Sequence, residues 1–151
     1  MQHIYHVIMQ ISKFTDLSLR VLMYLSHDVE GEHPRINDIA ERFQVPRNHL
    51  IKVVANMSKL GWVHTVRGRL GGLKLGVSPE RLKLGDILAS LEHGTLINCN
   101  KPACPIRGEC NLKSILDLEL NRFYKDLNKY SLSDILDLKT KQAVIRLHLV
   151  A

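Results

Sequence analysis

The chain has 151 residues, enough for one compact domain with its own core, and 45% of them are hydrophobic, so disulfides are not needed to hold it together. Lys and Arg number 21 against 15 Asp and Glu, and the formal charge of +6 suits a polyanionic partner. Aromatic residues make up only 5%, too few stacking platforms for a reader of single-stranded RNA, whereas duplex DNA read through a groove fits.

The opening stretch MQHIYHVIMQISKF has neither the basic start nor the unbroken apolar middle of a signal peptide, and no run approaches the length of a membrane span. The expected location is the cytoplasm, associated with the nucleoid. From Phe14 the apolar positions Phe14, Leu17, Val21, Leu22 and Leu25 recur at helical spacing and predict a first helix to about His27. A polar loop from Asp28 to Pro34 follows. Ile36 to Phe43 reads as a short second helix, with Asn37 as its cap and Asp38 in its first turn.

Gln44 and Val45 make a tight turn, and Pro46 sits at the start of a third helix whose apolar stripe is Leu50, Val53, Val54, Met57 and Leu60, ended by Gly61. Two helices joined by so short a turn form a helix-turn-helix. Trp62 to Val66 and Leu73 to Leu75 then read as two strands around Arg67-Gly-Arg-Leu-Gly-Gly72, a hairpin with a basic, glycine-rich tip. The expected fold is therefore mainly α, a winged helix-turn-helix with a small β-hairpin wing.

Ser78-Pro79 and Gly85-Asp86 open short helical pieces, the second ending near Leu91. Leu116, Leu120, Phe123, Leu127 and Tyr130 follow a heptad spacing that predicts a long C-terminal helix pairing along a second helix, a dimerisation element. Ser131-Leu-Ser-Asp134 resembles a capping box and starts one further short helix. For Val144 to Val150 helix and strand are equally arguable. The organisation expected is a DNA-binding domain over residues 9–92, a cysteine loop over 93–110, and a dimerisation helix with tail over 111–151.

With the apolar stripe of the third helix turned inward, Asn48, Lys52, Ala55 and Lys59 face outward. Asn suits adenine edges, Lys suits guanine or phosphate, and Ala permits close approach. Arg47 and His49 flank this face in the first turn, and Arg67 and Arg69 at the wing tip reach phosphates or the adjoining minor groove. His27, His33, His64 and His148 show no recognisable partner spacing and read as surface or core histidines.

All three cysteines, Cys99, Cys104 and Cys110, fall within twelve residues, separated by four and five intervening positions. In a reducing compartment such a cluster points to metal or redox chemistry. Structural zinc wants four closed ligands at shorter spacings and is an imperfect match. A cubane iron–sulfur cluster also takes thiolates, and three cysteines leave one iron for another ligand, an open corner that suits a sensor. A metal-free surface loop is the plain alternative. The chain has no nucleotide loop and no evident acid–base pair, so a small iron–sulfur or zinc enzyme is the weaker hypothesis.

These residues resemble the Rrf2 family of winged-helix regulators, and within it most closely the nitric-oxide-sensing repressors. The resemblance runs from Met9 to about Leu138 and is carried by Phe14-Thr-Asp-Leu-Ser-Leu-Arg20, Arg47-Asn-His-Leu-Ile-Lys-Val53, Val66-Arg-Gly-Arg-Leu-Gly-Gly-Leu-Lys-Leu-Gly76 and Leu96-Ile-Asn-Cys99. It implies a homodimer on an imperfect inverted repeat of double-stranded DNA. It also implies one [4Fe-4S] cluster per protomer on Cys99, Cys104 and Cys110, with Asp16 of the partner protomer as fourth ligand. His93 is the next candidate if Asp16 fails. Attack by nitric oxide would release the tie between cluster loop and DNA reader.

The family's iron–sulfur biogenesis regulators have five and five intervening residues and a histidine three positions after the third cysteine, where this chain has Lys113. An iron–sulfur-status or thiol-responsive regulator of the same family is the alternative reading. Met-Gln-Ile-Ser-Lys-Phe-Thr-Asp matches the family's opening, which makes Met9 the expected natural start.

Overall fold

The computed structural model describes residues 10–27, 33–92 and 95–149. Met9 as a start site, His93, the central part of the loop after the first helix and the last two residues of the tail lie outside that set. Helix α1 spans Lys13–Leu25, capped by the Ser12 hydroxyl, which accepts from the Thr15 amide at 3.1 Å. Helix α2 spans Ile36–Arg42 and α3 spans Arg47–Lys59. Asn37 is not the cap of α2 but lies inside it. The cap is Arg35, whose amide donates to the Asp38 carboxylate at 3.0 Å, so the acid in the first turn closes the helix end. Pro46 is the cap of α3, one position earlier than a first-turn proline.

Gln44, between α2 and α3, takes a positive φ of 52°, and Gly61 ends α3 with φ of 74°. Strands β1, Val63–Val66, and β2, Gly72–Leu75, pair antiparallel with Val63 opposite Leu75 and Val66 opposite Gly72. The hairpin is seated on the loop before α2: the Leu73 amide donates to the Pro34 carbonyl at 2.9 Å. A Cβ on Gly72 would stand 2.0 Å from the His33 carbonyl oxygen, so only glycine fits there.

A 3-10 turn at Pro79–Arg81 leads to α4, Leu84–Leu91. Then come α5, Leu112–Leu127, α6, Leu132–Ile135, and α7, Leu138–Leu149. The arguable tail is thus helical up to Leu149. The capping box at Ser131 forms: the Asp134 carboxylate accepts from the Ser131 amide at 2.6 Å and from its hydroxyl at 2.7 Å. Those two bonds hold the Asp134 carboxyl below its ordinary pKa.

The core gathers Val21, Leu22, Leu50, Val53, Met57, Ile39 and Val63 from the winged helix, and Leu132 and Leu136 join it from α6 and its end. The heptad stripe of α5 divides between two environments. Leu116, Leu120 and Leu127 are half-buried on a helix that packs against α4, while Phe123 and Tyr130 are exposed and Tyr130 lies beyond the helix end. On the outer side of α5, Leu112, Ile115 and Leu118 are 53%, 50% and 51% exposed.

Helices α4 and α5 meet at Gly85, where a Cβ would stand 1.8 Å from the Tyr124 carbonyl oxygen. Beside it the Asn128 side chain accepts from the Asp86 amide at 2.9 Å and donates to the Asp86 carboxylate at 2.7 Å. No described helix is long and apolar enough to cross a membrane.

Candidate nucleic-acid interface and cysteine centre

Helix α3 buries Leu50, Val53, Val54 and Met57 and leaves Arg47, Asn48, His49, Lys52, Ala55 and Lys59 exposed. The wing turn exposes Arg67, Gly68 and Arg69. All seven expected DNA contacts therefore lie on the solvent side of two adjacent elements. Residues 43–79 contain no Asp or Glu and carry six basic residues, Arg47, Lys52, Lys59, Arg67, Arg69 and Lys74. A stretch of chain that brings only positive charge to the helix and wing raises the local potential, which favours a phosphate backbone.

Lys74 is a cation that helix and turn patterns did not single out. It pairs with His64 across the hairpin, and both are exposed. The carboxylate-free run was the sequence signal that points to it. Arg47 is held: its Nε donates to the Asn37 side-chain oxygen at 2.7 Å, which explains what Asn37 does instead of capping.

The cysteine loop, from Thr95 to Asn111, connects α4 to α5. It is a series of turns: the Cys104 amide donates to the Cys99 carbonyl at 3.1 Å, and the Cys110 amide to the Ile106 carbonyl at 3.1 Å. All three thiols are free, Cys99 and Cys104 half-buried and Cys110 exposed. They line one cavity of about 550 Å³ together with Ile97, Ile106, Gly108 and Lys113. Among the described residues no three His, Cys, Asp or Glu side chains converge on a single-ion site. Three soft sulfur donors around one apolar-walled space larger than an ion fit a thiolate-held cluster better than a single zinc. Lys113, at the position that carries a histidine in the iron–sulfur biogenesis regulators, pairs with Asp117.

Asp16 does not line this cavity within its own chain. It lies in the first turn of α1, its side chain 46% exposed, and the Arg20 Nε donates to both of its carboxylate oxygens at 3.0 Å. Helix α1 packs on α3, and the Ser12 amide at its start donates to the Glu92 carboxylate at 2.7 Å, just before the cysteine loop.

A constellation that sequence spacing did not reveal joins the end of the fold to α1. The His148 ring stacks on Tyr24, centroids 3.8 Å apart and planes within 3°, and His27 meets His148 edge-on at 5.0 Å. The His148 Nε2 lies 3.0 Å from the Tyr24 carbonyl, and the Arg42 guanidinium donates to the Tyr24 hydroxyl. Burial raises the Tyr24 pKa, with the Arg42 hydrogen bond opposing it.

The family model that matches, Rrf2, described as an iron-dependent transcriptional regulator, covers residues 11–138. The chain belongs to the Rrf2 family. Members of the Rrf2 family are dimeric regulators that bind DNA. Among solved structures, T. potens IscR is 25% identical with a TM-score of 0.65, covering 84% of this chain and 85% of its own. CymR, the global cysteine regulator of B. subtilis, is 22% identical with a TM-score of 0.65, covering 85% of this chain and 96% of its own. The oxidised form of Staphylococcus aureus CymR, at 22% identity, reaches a TM-score of 0.63 over 85% of this chain and 97% of its own. These likenesses bear out the winged-helix fold of an Rrf2 regulator.

Proposed function

We propose that this Rrf2 regulator is a cytoplasmic, homodimeric repressor that senses nitric oxide through a [4Fe-4S] cluster. Cys99, Cys104 and Cys110 would hold the cluster, with Asp16 of the partner protomer as fourth ligand. The observation that carries this is the convergence of three free thiols on one cavity in a chain with a DNA-reading fold. When bound, the cluster supplies an iron without a thiolate, the point open to a small reactive molecule.

The chain's own residues supply the coupling. Asp16 sits on the helix that packs against α3, so a tie from the partner's cysteine loop to Asp16 would bear on the recognition helix. Without that tie Asp16 would be left to Arg20, and the two recognition helices would be free to leave the spacing that successive major grooves require. The exposed Leu112, Ile115 and Leu118 face of α5 suits the homodimer contact. The parts at 9–92, 93–110 and 111–151 then act as reader, sensor loop and dimerisation element, although α6 shares the reader's core.

Iron and acid-labile sulfide are expected at about four each per chain in protein purified without oxygen. The visible chromophore should bleach on nitric oxide titration in step with loss of DNA binding. Zinc in place of iron, or binding that survives bleaching, would overturn the reading. A thiol-responsive regulator is the second reading, supported by three free cysteines that converge on no single-ion site. It predicts metal-free protein released from DNA by mild oxidation. On the DNA side, Lys52→Ala or Arg69→Ala should weaken binding and, where a phosphate contact is lost, reduce the slope of log affinity against log salt by about one. Unchanged slope and affinity would remove that residue from the interface.

A further inference from the structure

The turn that opens α2 touches both surfaces assigned to DNA. Arg35, its cap, sends its Nη2 to the Arg69 carbonyl at 2.8 Å, bonding the wing tip from its backbone side. Two residues on, Asn37 holds the Nε of Arg47 at 2.7 Å, at the start of α3. The same stretch seats the hairpin, through the Pro34 carbonyl bonded to the Leu73 amide and the His33 carbonyl pressed on Gly72.

We propose that Arg35 and Asn37 are positioning residues, with Arg35 setting the wing-tip arginines and Asn37 setting Arg47 for the DNA backbone, rather than contacts of their own. The inference rests on the DNA-binding reading above. Its physical basis is entropic. A two-stranded ribbon with a glycine-rich tip is marginally ordered alone, and a guanidinium bond to the tip carbonyl removes freedom that binding would otherwise have to remove. An arginine can do this while its own charge stays solvated, because only one of its nitrogens is engaged.

A duplex enriched by the wild-type chain from a randomised pool provides the probe. Arg35→Ala is expected to weaken binding by about threefold to tenfold, the loss of one hydrogen bond. Measured again in an Arg67→Ala/Arg69→Ala background, the Arg35→Ala effect should vanish, because the wing tip then has no cations to place, Lys74 being fixed in β2 by strand pairing. Without DNA, trypsin should cut the Arg35→Ala wing faster at Arg67 and Arg69. Asn37→Ala should weaken binding while leaving wing cleavage at the wild-type rate.

An Arg35→Ala loss that persists in full in the wing-deficient background would make Arg35 a direct contact and overturn the proposal. So would an unchanged rate of wing cleavage. If the wild-type chain enriches no duplex, the DNA-binding reading itself falls, and the cleavage rates still decide whether Arg35 orders the wing.

Discussion

Replacing Cys104 by serine is expected to leave a folded protein that retains almost no iron or sulfide and no longer responds to nitric oxide. Cys104 is the middle thiol, bonded through its amide to the Cys99 carbonyl and through its carbonyl to the Arg107 amide at 3.1 Å, so it organises both halves of the loop. Serine keeps those backbone bonds and removes only the soft donor. The fold should survive because none of the loop's described residues belongs to the buried core. Iron analysis, the visible spectrum and thermal melting in parallel check this. Iron retained at the wild-type level would show that Cys104 is not a ligand, and a collapsed melting temperature would make its role structural.

The second large effect is expected at Gly85. An added Cβ would stand 1.8 Å from a main-chain oxygen of α5, which no rotamer change can relieve. Alanine gains roughly 1 kcal/mol in helix propensity, yet the forced separation of two packed helices should outweigh it, for a net destabilisation of about 2 to 3 kcal/mol. For a chain of this size that corresponds to a fall in melting temperature of about 4 to 12 °C. Thermal denaturation of Gly85→Ala tests it, and an unchanged midpoint would mean that α4 and α5 do not approach this closely. Because α5 carries the exposed apolar face proposed for the homodimer contact, dimerisation should weaken as well.

Short-range signals were the legible ones. The tight turn at Gln44, the glycine-rich tip between strands, shorter than expected by Gly72, which pairs in β2, and the Ser131–Asp134 box each encode structure within a few residues, and each formed. The start of α2 at Ile36 was legible but its cap was not, because a serviceable cap residue, Asn37, sits two positions after the true one, Arg35. There, Asp38 serves the backbone of an arginine that has no capping preference of its own.

The α5 stripe shows a different limit. Heptad spacing says that a helix has an apolar seam, but not whether the seam meets the same chain or another. Here Leu120 turns toward α4, and the more exposed set includes Leu112, Ile115 and Leu118. For the site, spacing singled out the three cysteines, which line one cavity, whereas Asp16 rested on resemblance alone. Arg35 and His148 act through partners 34 and 124 residues away, beyond the reach of any local pattern.

The stacked pair of Tyr24 and His148 also bears on how the molecule comes into being. One face of a fully buried ring in α1 is covered by a side chain of α7, 124 residues further along the chain. A nascent chain can assemble its helix-turn-helix and wing before α7 is made, yet this face of the Tyr24 ring stays uncovered until α7 arrives. The regulator's first helix is therefore completed late, when α7 closes over it.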